Sequence, residues 1–145
     1  MVFTAILVAV IACGIPTSYA MDYEILFSDE TMNYADAGTY CQSRGMALVS
    51  SAMRDSTMVK AILAFTEVKG HDYWVGADNL QDGAYNFLWN DGVSLPTDSD
   101  LWSPNEPSNP QSWQLCVQIW SKYNLLDDVG CGGARRVICE KELDD

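Results

Sequence analysis

Four cysteines, Cys41, Cys116, Cys131 and Cys139, constrain this chain more than any other feature. None of them stands in a Cys-x-x-Cys pair, so a zinc site is not indicated. An even set of cysteines in an exported chain reads as two disulfides, and sequence alone leaves three pairings open. Two crosslinks across residues 41–139 imply one small domain with distant segments stapled together.

The export reading rests on the first twenty residues, MVFTAILVAVIACGIPTSYA, which carry no charged side chain. An apolar run ends at Ile15-Pro16, and small residues follow at Ser18 and Ala20. This pattern predicts a secretory leader, residues 1–20, cleaved after Ala20 and taking the fifth cysteine, Cys13, with it. A membrane anchor would need a longer run without Gly14 and Pro16. Residues 21–145 are then one domain, long enough to bury a single core. Its net charge of −12 speaks against nucleic acid or an anionic membrane surface as partner, and no membrane insertion is expected.

Tyr23–Phe27 alternates weakly and predicts a first strand. A helix is expected from about Thr31 to Arg44, with Tyr34, Ala37, Tyr40 and Cys41 at helical spacing and Gly45 at its end. Ala47–Val49 is a short exit segment. A second helix is predicted from Ser51 to about Glu67. Ser51 or Asp55 would cap it, and Met58, Val59, Ile62, Leu63 and Phe65 form its buried stripe. Strands follow at Tyr73–Ala77, Phe87–Trp89, Cys116–Trp120 and Arg136–Cys139. Between them, residues 93–114 lack periodicity. Pro104, Pro107 and Pro110 forbid a helix there and stiffen a loop that presents Glu106 between two tryptophans, Trp102 and Trp113. A long irregular segment in a compact domain is usually functional.

Taken together, these residues resemble the C-type lectin-like domains over residues 23–141. The resemblance is carried by Tyr40-Cys41 with Gly45 and Ala47-Leu48, and by the WIGL-type stretch Trp74-Val-Gly-Ala77. It continues through Leu88-Trp89 before Asp91-Gly92, Trp102 leading to Glu106-Pro107-Ser108, and the spacing Cys116, Cys131, Cys139. It implies an α+β fold, with two helices packed on small antiparallel sheets and a long loop for calcium and sugar. It also implies disulfides Cys41–Cys139 and Cys116–Cys131, and a cis Glu106-Pro107 peptide.

The resemblance places the calcium and sugar ligands at Glu106, Ser108, Asp127 and Asp128. The literal Trp89-Asn90-Asp91 is a decoy, expected to face solvent in a turn before the long loop. The chemistry agrees independently, since calcium takes six to eight hard oxygens and three gathered carboxylates repel unless a cation joins them. One difficulty is that Asp127 and Asp128, adjacent on a strand, point to opposite faces in ideal geometry. Gly130 and Gly132 offer local distortion, and the Asp128 carbonyl is an alternative ligand. Ser108 and Gln114 depart from the family's usual residues, which weakens the pattern that separates galactose from mannose. Trp120, on the strand face away from Val117 and Ile119, is the preferred partner for the apolar face of galactose, with Trp113 as the alternative. Trp74, Trp89 and Trp102 are expected to be structural.

The expected function is a secreted, calcium-dependent lectin for galactose-type glycans, working as a homodimer because one shallow site binds weakly. A protein-binding module and a mannose-type lectin are the alternatives. A glycosidase using Glu106 with an Asp has no other support. Calcium and sugar are expected to be lost together towards the carboxylate range, roughly pH 4–5.

Overall fold

Asn33 converts an extended chain into a helix. Its side chain accepts from the Asp36 amide at 2.8 Å and satisfies a donor that the first turn leaves open. The resulting helix α1 (Tyr34–Gln42) is shorter at both ends than the spacing predicted, because the cap is Asn33 and not Thr31. Gly45, at φ 70°, lets the chain leave sharply. The second predicted helix is split. Residues Ser51–Arg54 form a 3₁₀ turn, and Asp55 then caps α2 (Ser56–Lys69), accepting from the Thr57 and Met58 amides at 3.0 and 2.9 Å. Met58 and Ile62 are fully buried, while Val59, Leu63 and Phe65 pack against the core from its edge.

The computed structural model describes residues 4–8, 22–81, 83, 85–108 and 114–143. Among the described residues nine strands form the sheet: β1 (Thr4–Val8), β2 (Asp22–Phe27), β3 (Ala47–Leu48), β4 (Tyr73–Asp78), β5 (Phe87–Trp89), β6 (Ser94–Leu95), β7 (Leu115–Trp120), β8 (Leu125–Gly130) and β9 (Arg136–Leu143). The main path runs β1-β2-β9-β4-β5-β6, with β3 on β9 and β7 bridging β4 to β8. Most pairs are antiparallel, as expected, and β4 and β9 add one parallel pair, Tyr73 with Arg136 and Trp74 with Val137. The reason lies in register. Gly130 ends β8 opposite Leu115, level with the Asp78 end of β4. Residues 131–135 carry the chain back to the Tyr73 end, so β9 starts there and follows β4.

Strand β1 falls within the segment read as a leader. It pairs antiparallel along β2, from Thr4 opposite Phe27 to Val8 opposite Tyr23. The cleavage position after Ala20 lies outside the described residues. Among the described residues, no helix is long and apolar enough to cross a membrane.

Both disulfides implied by the resemblance are present, Cys41–Cys139 and Cys116–Cys131. In the chain-entropy view the long loop contributes about 5 kcal/mol and the short one about 3 kcal/mol. Trp74, Trp89 and Trp102 are all buried. The Trp74 indole donates to the Met32 carbonyl at 2.8 Å and the Trp102 indole to the Pro96 carbonyl at 2.8 Å, so each buried N–H has an acceptor.

Candidate functional site

Strand β8 carries two acids, and the long loop supplies the third. The loop is tied to the open edge of β8 by two backbone bonds, Leu126 N–H to the Leu101 carbonyl and Ser103 N–H to the Leu126 carbonyl, both 2.8 Å. Beyond that tie the chain turns through Asn105 at φ 67°, a conformation Asn tolerates, and the Glu106-Pro107 peptide is cis. These turns bring Glu106 and Ser108 alongside the next two residues of β8. The Ser108 amide donates to Asp128 Oδ1 at 3.1 Å.

The outcome is a cluster in which Glu106, Asp127 and Asp128 each place a carboxylate oxygen within 4.8 Å of the others. The adjacency of Asp127 and Asp128 is therefore no obstacle. Gly130 and Gly132 do not cause this, since neither has positive φ and β7 pairs with β8 without a register slip. Asp127 lies opposite Gln118 and Asp128 opposite Val117, on alternate faces. With the far edge of β8 unpaired by another strand, both side chains can converge at that edge.

Crowding has an electrostatic cost. Burial pushes the Glu106 carboxyl up from 4.5 to about 7, and the neighbouring Asp128 and Asp127 add to the shift. Burial also raises Asp127, and Asp128 reinforces it. Glu106 Oε2 is buried and has no hydrogen-bond partner among the described residues. An unmatched buried acceptor is costly, and it is what a site for a hard cation presents when only protein atoms surround it. Oxygens that share one calcium lie at most about 5 Å apart, given bonds of 2.3–2.6 Å. The three carboxylates fit that limit. The acid loss expected near pH 4–5 accordingly moves upward, because Glu106 must release a proton held to about 7.

Trp120 ends β7 on the face shared by Gln118 and Asp127, two residues from Gln118, or about 7 Å along the strand. It is half-buried, meets Tyr123 edge-on at 5.3 Å, and has the Lys122 ammonium 5.4 Å from its ring centre. Gln114 sits just ahead of β7 with an exposed side chain. Trp113 lies outside the described residues. The decoy is elsewhere, with Asn90 and Asp91 exposed in the turn as expected. Trp89 is in the core, and the Asn90 side chain donates to the Leu48 carbonyl at 3.2 Å. Asp91 pairs with Arg54. Only a glycine fits at position 76, since a Cβ there would stand 2.4 Å from the Asn90 amide nitrogen.

Two residues of the site were not singled out by sequence. Gln118 Nε2 donates to Asp127 Oδ2 at 2.9 Å, and Gln118 Oε1 accepts from Arg135 Nε. Gln118 carried one signal, a polar residue between Val117 and Ile119 in an otherwise apolar strand. Arg135 carried none, because its place follows from the crossover at residues 131–135.

Comparison with known proteins bears on both fold and site. A family model described as the Lectin C-type domain matches residues 30–141. E-selectin of Sus scrofa is 30% identical over 116 residues, 77% of this chain and 23% of that protein. Salivary C-type lectin 2 of Aedes albopictus is 28% identical over 127 residues, 80% of this chain and 82% of that protein. The human scavenger receptor C-type lectin carbohydrate-recognition domain shares the fold, with a TM-score of 0.71 at 21% identity, over 83% of this chain and 92% of that one. The chain spans about a quarter of the length of the E-selectins it matches.

Proposed function

The chain belongs to the C-type lectin domain family, and on that premise we propose that it is a secreted, calcium-dependent lectin for galactose-type sugars. Domains of this family generally bind carbohydrate with calcium and are usually not enzymes. The observation that supports the reading in this chain is the convergence of Glu106, Asp127 and Asp128 around a buried, unmatched Glu106 Oε2.

In this reading Glu106, Asp127 and Asp128 hold the ion through carboxylate oxygens, and Ser108 adds an oxygen beside them. Bound calcium supplies open coordination positions for two vicinal hydroxyls of a hexose. The carboxylates accept hydrogen bonds from those same hydroxyls. Trp120 offers its indole to the apolar face of galactose, on the side of Asp127. Gln114 is a further candidate contact for the sugar, and Trp113 is the alternative aromatic. The chain performs no bond-breaking chemistry in this proposal, and incubation with galactosides should release no free sugar.

The leader at residues 1–20 directs export, and the mass of the exported protein should correspond to a chain beginning at Met21. A single open site binds weakly, so a homodimer supplies avidity. Release of the leader strand β1 would free the edge of β2 for that contact, and sedimentation of the mature protein checks it.

The deciding experiment is retention on immobilised galactose and on immobilised mannose, each with calcium and with chelator. Calcium-dependent retention on galactose alone is expected. Retention that survives chelation would end the calcium-bridged reading, and retention on mannose alone would reverse the specificity. No retention on either would favour a protein-binding module.

A further inference from the structure

A buried polar chain runs from the core to the proposed calcium site. Asp127 Oδ2 accepts from Gln118 Nε2 at 2.9 Å across the β7–β8 pair, and Gln118 Oε1 accepts from Arg135 Nε. The Arg135 guanidinium carbon lies 4.6 Å from the centre of the Trp74 ring. Gln118 is 3% exposed, Asp127 8% and Trp74 0%. Arg135 is held at its backbone too, exchanging hydrogen bonds of 3.0 and 2.9 Å with Met32. The Met32 carbonyl also takes the Trp74 indole N–H. Gly133 leaves the room the guanidinium needs, since a Cβ there would fall 2.2 Å from Arg135 Nη1.

The orientation of the Gln118 amide is forced by its neighbours. A guanidinium can only donate, so the amide oxygen must face Arg135. An ionised carboxylate can only accept, so the amide nitrogen must face Asp127. A flipped amide would meet both neighbours with the wrong group. Asp127 therefore has Oδ2 engaged by a neutral donor, which fixes the rotation of its carboxylate beside Glu106 and Asp128. The amide also transmits part of the Arg135 charge toward the acidic cluster without placing a cation beside the ion's position, where it would compete. A direct Arg135–Asp127 pair would neutralise the ligand; the intervening amide only orients and polarises it.

We propose that Gln118 and Arg135 are positioning residues that hold Asp127 in the rotamer needed for calcium and thereby set the affinity of the site. This rests on the calcium-lectin reading above. Partners that orient a metal's ligand typically change affinity by about 10- to 100-fold when removed.

The test measures calcium affinity by competition with a chromophoric chelator, together with melting of the metal-free protein. Gln118→Met keeps the volume and removes both polar ends. It should weaken calcium at least tenfold while the metal-free protein still melts cooperatively. Arg135→Met should weaken calcium similarly. Arg135→Lys, which can still donate to Gln118 Oε1 but gives up the guanidinium plane over Trp74, should recover only part of the affinity lost in Arg135→Met. The Gln118 side-chain NH₂ resonances of the metal-free protein should exchange slowly with solvent, and Arg135→Met should speed that exchange. A folded Gln118→Met that binds calcium as tightly as the parent overturns the positioning role and leaves the lectin reading intact. So does a folded Arg135→Met that keeps the parent's calcium affinity. A parent protein that binds no calcium overturns the lectin reading and this inference with it.

Discussion

Glu106 is where the local physics of this chain is most exposed to experiment. Its carboxyl is held up at about 7 against an ordinary value of 4.5, chiefly by burial. Between those two values the metal-free folded protein binds more protons than the unfolded chain. Its stability should therefore fall as pH rises through that window. Thermal melts in chelator from pH 4 to pH 8 check this. With calcium the trend reverses, because the ion requires the ionised form, so affinity should weaken below about pH 7 and binding should release protons. Calorimetry in buffers of different ionisation enthalpy measures that release. Glu106→Gln should raise the melting temperature of the metal-free protein and lower calcium affinity at least tenfold, since it removes both a repulsion and a ligand charge. Trp120→Ala should act differently. Retention on galactose should fall roughly tenfold, in line with the contribution of one aromatic contact, while calcium affinity stays unchanged.

At the scale of elements, the helices and strands were legible where periodicity and caps coincide. Asp55 before Ser56 and Gly70 after Lys69 bracket α2 as capping chemistry demands. The same stretch shows where reading stops. Ser51 and Asp55 are both good caps, and only the packing of Ala52 and Met53 into the core turns the first into a 3₁₀ turn. The parallel run of β4 with β9 left no local trace, because it depends on where residues 131–135 place the chain. The acids of the site were legible by type and by resemblance. Their meeting was not, since strand alternation argued against it and the edge of β8 resolved it. Gln118 was visible only as an oddity in an apolar strand, and its purpose depends on Arg135. Ile62, fully buried on α2, offers an element-scale test. Ile62→Ala should cost about 3 kcal/mol in denaturant unfolding and leave calcium affinity per folded molecule unchanged.

For the whole molecule, folding and ligand binding share one balance. A cation that binds only the folded state should stabilise it by about 2.7 kcal/mol at a hundredfold excess over its dissociation constant. Chelator should lower the melting temperature accordingly, and scanning calorimetry with and without calcium reads the difference. The two disulfides should separate in the same assay. Replacing Cys116 and Cys131 together with Ala should cost about 3 kcal/mol and also weaken calcium, because that bond anchors the start of β7 and the end of β8. Replacing Cys41 and Cys139 should cost about 5 kcal/mol.

The Cys41–Cys139 bond also decides how the domain meets mechanical load. Tension applied between residues 22 and 143 enters β2 and β9 side by side, at their paired ends, and would peel them apart one rung at a time. It then arrives at a covalent short circuit. Everything between residues 41 and 139, including α2, the long loop and the acidic cluster, lies inside the closed ring and carries none of the pull. Extension should stop after roughly 80 Å of slack has been drawn out. Strain between the two chain ends would thus leave the shape of the acidic cluster untouched, because its scaffold is excluded from that force path.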